Sequence, residues 1–399
     1  MSTIGAPLWP APRGLIPGLG IVQIFAWGSS YYLPAVLSAS IADDTGWPLA
    51  WVVGGLSVGL LASGLLAPAV GARIKRHGGR PVMAAGALGL AAGLVALALA
   101  PTLPLFYLAW LLLGCGMSAS LYDAAFSTLG GIYGAESRPA IGRLTLFGGF
   151  ASTVCWPLSS LLAAHLGWRG ACIAYAGIQL LVALPLILLA LPRQARPGGA
   201  AGQRAKPLPD RRFTGPLRRA FLLMSLIVPI GGVVASLMSV YLIALLEARG
   251  VSHALAVSFG TLIGPAQVGA RIIELSFGTR YHPIWTLAAA SALVACGVSL
   301  LAAGPFVAAV ALVLFGAGNG IWSIARGTLP LALFGPDLYP SVMGRLALPS
   351  FLASAATPAL GGVIVGSLGA AGIFAVQIVL ALVNLGLIAL LWRDATSVE

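Results

Sequence analysis

The chain has 399 residues, of which 59% are hydrophobic and only 8% charged, and its mean hydropathy is +0.98. Soluble domains carry about 25% charged residues, and here 22 Lys and Arg with 10 Asp and Glu are too few to clothe a 40.5 kDa body in water. A water-soluble globule is excluded, and the composition reads as a polytopic membrane protein.

A membrane-crossing helix needs about 20 apolar residues. Such runs lie at 17–40, 50–71, 81–100, 104–130, 143–164, 171–191, 220–246, 255–276, 284–303, 305–327, 345–366 and 371–392, twelve in chain order. They are continuous and rich in Ala, Leu and Gly, which fits helices and not the alternating strands of about 10 residues that build a membrane barrel. One basic residue, Arg13, precedes the first run and no cleavage site follows it, so that run is read as a retained span. Pro34, Pro68, Pro157, Pro229, Pro265 and Pro358 fall inside runs as candidate bends. Cys115, Cys155, Cys172 and Cys296 all sit in apolar surroundings without metal-ligand spacing and read as small core residues.

Charge placement gives an independent test of the count. With twelve spans and both termini cytoplasmic, 20 of the 22 Lys and Arg fall on the inner side, leaving only Arg169 and Arg249 outside. That is the bias the positive-inside rule requires, and one missed span in the middle would destroy it. The net charge of +12 therefore reports orientation and contact with anionic lipid; nucleic acid is not needed to explain it.

Residues 192–219 form the longest connection, rich in Pro and Gly and carrying eight basic residues against Asp210. They divide the chain into six spans over 1–191 and six over 220–399. The halves repeat one another: Val70 to Ile74 recurs as Val268 to Ile272, Thr128-Leu129 as Thr328-Leu329, Gly142 to Leu144 as Gly344 to Leu346, and Pro157 as Pro358, at offsets of 198, 200, 202 and 201. Parallel repeats of this kind build transporters in which two bundles rock about a shared midplane site.

With twelve spans, a repeat and a basic central loop, the chain resembles the major facilitator superfamily over essentially its whole length. The connection after the second span, Gly71 to Arg80, is similar to that family's loop signature at Gly71, Arg76, Gly78 and Arg80, whereas Lys75 replaces its aspartate and Gly79 a usual basic residue. The glycine-proline signature of drug antiporters is missing from span five, which reads Cys155-Trp156-Pro157-Leu158. The resemblance implies an all-helical fold of twelve transmembrane helices in two pseudo-symmetric six-helix bundles, acting as a monomer, with spans one, four, seven and ten around the cavity.

Those four spans each carry a polar stripe at helical spacing: Gln23, Trp27, Ser30 and Tyr31; Gly116, Ser120, Asp123 and Ser127; Gly232, Ser236 and Ser239; and Asn319, Trp322, Ser323 and Arg326. An ionisable group costs at least ~2.5 kcal/mol at the bilayer centre and tends to mark an ion or substrate route. Asp123, the one acid well inside a span, is the candidate proton-coupling group, or else a structural partner of a nearby Arg. Arg326, at similar depth in the equivalent span, is either an anion contact, a gate partner of Asp123, or an anchor reaching the headgroups. Arg271 and Glu274 stand three residues apart and are expected to satisfy one another as a gate or structural pair.

Enzyme signals fail on context. Gly55-Leu56-Ser57-Val58-Gly59 matches the G-x-S-x-G pattern but lies in an apolar helix, where small residues favour close packing. No metal pair or phosphate loop is present in the sequence, so neither a cofactor nor bound ATP is expected. The reading is a carrier of the bacterial inner membrane that moves a small organic solute, a carboxylate by preference, with protons by alternating access. An exporter of hydrophobic compounds is the main alternative, with a membrane enzyme using Ser57 and a non-transporting receptor behind it.

Overall fold

The computed structural model describes residues 14–193 and 215–396. Most of the basic linker, together with Arg13, lies outside the described residues. The helices are α1 (Leu15–Gly28), α2 (Leu33–Thr45), α3 (Leu49–His77), α4 (Gly79–Leu99), α5 (Leu103–Ser120), α6 (Tyr122–Tyr133), α7 (Ser137–Gly149), α8 (Ala151–Ile178), α9 (Leu184–Ala190), α10 (Gly215–Glu247), α11 (His253–Gly260), α12 (Ile263–Phe277), α13 (Pro283–Ala303) and α14 (Ala308–Thr396). No strand occurs among the described residues. Among the described residues, seven helical stretches, several of them joining more than one span across short breaks, are long and apolar enough to cross a membrane.

Left-handed glycines supply the missing boundaries. α8 turns at Gly167 (φ 69°), and α14 turns at Gly335 (φ 71°) and Gly369 (φ 62°), a backbone conformation that costs glycine little. With α1 and α2, α5 and α6, α7 and the first arm of α8, the second arm of α8 and α9, and α11 and α12 each counted as one broken span, the segments coincide with the twelve apolar runs. Pro68, Pro157 and Pro229 sit within continuous helices. Mid-span breaks fall at Ser29 to Tyr32, just before Pro34, and at Thr261-Leu262, just before Pro265, and also at Leu121 and at Phe150.

Buried apolar side chains gather in four large clusters, one within the first half, two within the second, and one that crosses between them, where Leu331, Tyr339 and Met343 pack with Phe126, Leu129 and Ile141. The repeat is visible in side-chain bonding. Thr128 and Thr328 each donate back to the carbonyl four residues earlier, at 2.8 and 3.1 Å. Gln179 reaches Ser29 Oγ at 2.9 Å, and Gln377, 198 positions later in sequence, reaches the Val234 carbonyl at 3.3 Å. In both cases the last span of a half ties to its first.

Contact between the halves is concentrated at one end, where Arg73, Arg76 and Arg138 lie. There α6 and α7 pack on α12 and α14, and α3 packs along α14, while α2, α5 and α8 make no comparable contact with α10, α11 or α13. The halves therefore close at this basic end and diverge toward the other. On the far side Asp44 accepts bonds from the Trp168 indole, at 3.0 Å, and from Arg169, and these two donors hold its carboxyl below the usual carboxylate range.

Closure of α3 on α14 depends on two glycines. A Cβ at Gly344 would meet the Ala67 carbonyl and Pro68 backbone, and one at Gly71 would meet the Pro340 carbonyl. Backbone cannot yield as a flexible side chain can, so Gly344→Leu is expected to weaken closure by about 1–3 kcal/mol, as overpacking usually does. Faster alkylation of a cysteine introduced at Ser350, between the halves, reports it; an unchanged rate would separate the glycine contact from closure.

Candidate functional site

Asp123 stands in the first turn of α6, just after the chain runs extended through Leu121 (ψ −174°). A carboxylate there is favoured by the helix's positive N-terminal end. Arg326 approaches from α14 and its Nη2 donates to Asp123 Oδ1 at 2.6 Å, with side chains 17% and 12% exposed respectively. The pair joins the two halves of the chain. It opens on a narrow crevice lined also by Val228, Met343, Leu346, Ala347 and Ser350. The Arg326 guanidinium lies 5.6 Å from the Trp322 ring centroid, in cation–π range.

A second ion pair crosses the halves closer to the basic end. Arg138, at the start of α7, donates to Glu274 Oε1 at 3.0 Å and to Thr286 Oγ1 at 3.1 Å, and Thr286 itself donates to Glu274 at 3.0 Å. Glu274 is thereby withdrawn from Arg271, and the expected pairing within α12 does not form. Arg138 offers Glu274 a charged donor from the opposite half, which the spacing along α12 cannot reveal. Arg271 instead donates Nη1 to the Thr145 carbonyl at 2.9 Å and Nε to the Gly320 carbonyl at 3.2 Å, again touching both halves.

The remaining sequence candidates divide among several settings. Gln23 is buried and donates to the Ser120 carbonyl at 2.7 Å, while Gln23 Oε1 and Ser120 Oγ have no partner. Trp27 and Tyr31 belong to one aromatic cluster, 5.3 Å apart. Ser236 is buried and Ser239 exposed. Ser323 folds back onto the Gly320 carbonyl at 2.7 Å. Asn319 and Trp322 open into a small space within the second half, together with Ser291 and Asn384. The polar atoms Trp322 Nε1, Ser291 Oγ and Asn384 Oδ1 are buried there without partners.

In the loop signature, Gly71 is the close-contact residue described above, Gly78 turns the chain with φ 78°, Arg76 is exposed and Arg80 is half-buried. Gly79 packs where a Cβ would collide with Thr128, which accounts for glycine at that position. Gly55 and Gly59 likewise pack on Trp110, in keeping with close helix contact around Ser57. Arg138, Thr286 and Tyr122 carry site contacts that sequence reading missed. Only Arg138 left a trace, as a basic residue beside a span.

Residues 19–345 match the family model described as Major Facilitator Superfamily. The chain belongs to this superfamily. An uncharacterized 38 kDa protein in the 23S RNA operon of Thermoproteus tenax is 30% identical over 337 residues, 84% of each chain. The fold is shared with the human organic anion transporter MFSD10 (TM-score 0.71, 18% identity, 95% of this chain and 100% of that one). It is shared also with the E. coli fucose:proton symporter FucP (0.73, 17%, 96% and 99%) and the proton:xylose symporter XylE (0.68, 11%, 93% and 94%).

Coupling across the basic end is measurable. Arg138→Ala and Glu274→Gln are each expected to destabilise the folded chain in lipid nanodiscs. The double variant should lose less than the sum, by at least about 1 kcal/mol, as contacting residues do in a mutant cycle. Additive losses would show that the two side chains act independently.

Proposed function

We propose that this chain is a secondary active carrier that moves a small organic anion, a carboxylate by preference, together with protons across the bacterial inner membrane. The observation that carries this reading is the Asp123–Arg326 bond at 2.6 Å between the two halves. Breaking a buried ion pair by neutralising one partner costs about 3–5 kcal/mol. Protonation of Asp123 therefore loosens the tie between halves and couples a proton to opening of the basic end. The bodies that rock are residues 1–191 and 220–399, joined by 192–219.

The excess of Lys and Arg on one side supports placing that end and both termini in the cytoplasm. On that orientation the arrangement described here is closed to the cytoplasm and open outward. Organic anion transport by one structural neighbour and proton symport by two others are in keeping with the reading. While Asp123 is ionised the pair as a whole carries no net charge, so it serves coupling better than it serves substrate capture.

In proteoliposomes with an imposed pH gradient, the wild type should accumulate radiolabelled monocarboxylate. Asp123→Asn is expected to retain binding, read as a ligand-dependent thermal shift, and to lose gradient-driven accumulation by at least about tenfold, the change that corresponds to 1.4 kcal/mol. Full accumulation by the variant would remove Asp123 from coupling.

A further inference from the structure

Arg271 is 5% exposed and pairs with no carboxylate among the described residues. The nearby acids are committed elsewhere, Asp123 to Arg326 and Glu274 to Arg138. Two backbone carbonyls engage Nε and Nη1 but leave the positive charge uncompensated. A buried charge in this condition is costly unless an opposite charge joins it. Because Arg271 touches Thr145 in one half and Gly320 in the other, an anion bound to it would sit between the halves.

The surroundings specify what else that anion carries. The Thr145 carbonyl that accepts from Arg271 lies 3.4 Å from the Tyr122 hydroxyl, which places this ring beside the guanidinium. Tyr122 is 5.2 Å from Trp27, which in turn contacts Tyr31 at 5.3 Å and Tyr32 at 6.0 Å between ring centroids. Trp27 Nε1 is buried with no acceptor, and Trp27, Tyr31 and Tyr32 keep half-buried faces.

Helix interruptions place these groups together. Tyr31 and Tyr32 belong to the break between α1 and α2, and Tyr122 follows the break at Leu121. Gly149, against which Arg271 packs, precedes the break at Phe150. Discontinuous helices at mid-membrane are a recurrent device for substrate sites in carriers.

We propose that Arg271, with the rings of Trp27, Tyr31, Tyr32 and Tyr122, forms a seat for an aromatic carboxylate. The forked donors of Arg271 take the carboxylate. The ring of the ligand packs on the aromatic wall by offset or edge contacts, and Trp27 Nε1 donates to any further oxygen. This rests on the reading of the chain as an anion carrier and narrows it to one substrate class.

The test uses the full chain in lipid nanodiscs, with thermal unfolding followed against benzoate, cyclohexanecarboxylate and benzamide. Benzoate should raise the unfolding temperature saturably, with half-saturation about tenfold lower than for cyclohexanecarboxylate, the size of one good aromatic contact. Benzamide, which lacks the charge, should give no shift. Arg271→Gln should lose the benzoate response and Arg271→Lys should keep it in weakened form, which serves if the glutamine variant fails to fold. Trp27→Leu should abolish the preference for the aromatic acid, bringing the two half-saturation values together. Equal response to both acids, or a benzoate response that survives Arg271→Gln, overturns the seat and leaves the anion-carrier reading standing. A chain that responds to no carboxylate overturns both.

Discussion

A charge enclosed by hydrocarbon must find its opposite, and the few acids inside this chain are so placed that finding it joins the two halves. Asp123 meets Arg326 and Glu274 meets Arg138, each pair linking one half to the other. The pairs are worth little as general stabilisers, because desolvation offsets most of their attraction. Their value is positional. Both cross between the halves, so neutralising one partner of either pair weakens that contact.

Small residues make that closure possible. α3 and α14 approach through Gly71 and Gly344 until backbone meets backbone, the kind of contact that drives association where lipid offers no hydrophobic gain. Lys75 occupies the position of the family's loop aspartate, so the usual carboxylate clasp is missing at that corner. The bond from Arg138 to Glu274 and Thr286 stands close by on the same basic end and supplies a tie of like kind between other helices.

Much of this was legible in the sequence. Hydropathy located all twelve runs, and the repeats at Thr128 and Thr328 reappear as identical back-bonds four residues long. Helical spacing found both members of the Asp123–Arg326 pair. It was less informative about depth: Asn319 and Arg326 share a face, yet seven residues of helix separate them by about 10 Å, and they open into different cavities. Arg271 was assigned to Glu274 because spacing along one helix carries no knowledge of Arg138. Pro34 and Pro265 do follow breaks, but the other breaks were misjudged for a physical reason. Proline is tolerated in lipid-embedded helices whose neighbours satisfy the freed carbonyls, so Pro68 and Pro229 leave α3 and α10 continuous, while Leu121 and Phe150 interrupt helices without any proline.

The central claim, that protonating Asp123 opens the basic end, is tested most directly by distance measurement between spin labels at His77 and Asp337, two exposed positions on facing halves, in a background lacking the four native cysteines. At about pH 8 the short separation should dominate. Asp123→Asn, which carries the neutral side chain permanently, should shift the population to a longer separation at the same pH. Distributions that ignore the substitution would contradict the account.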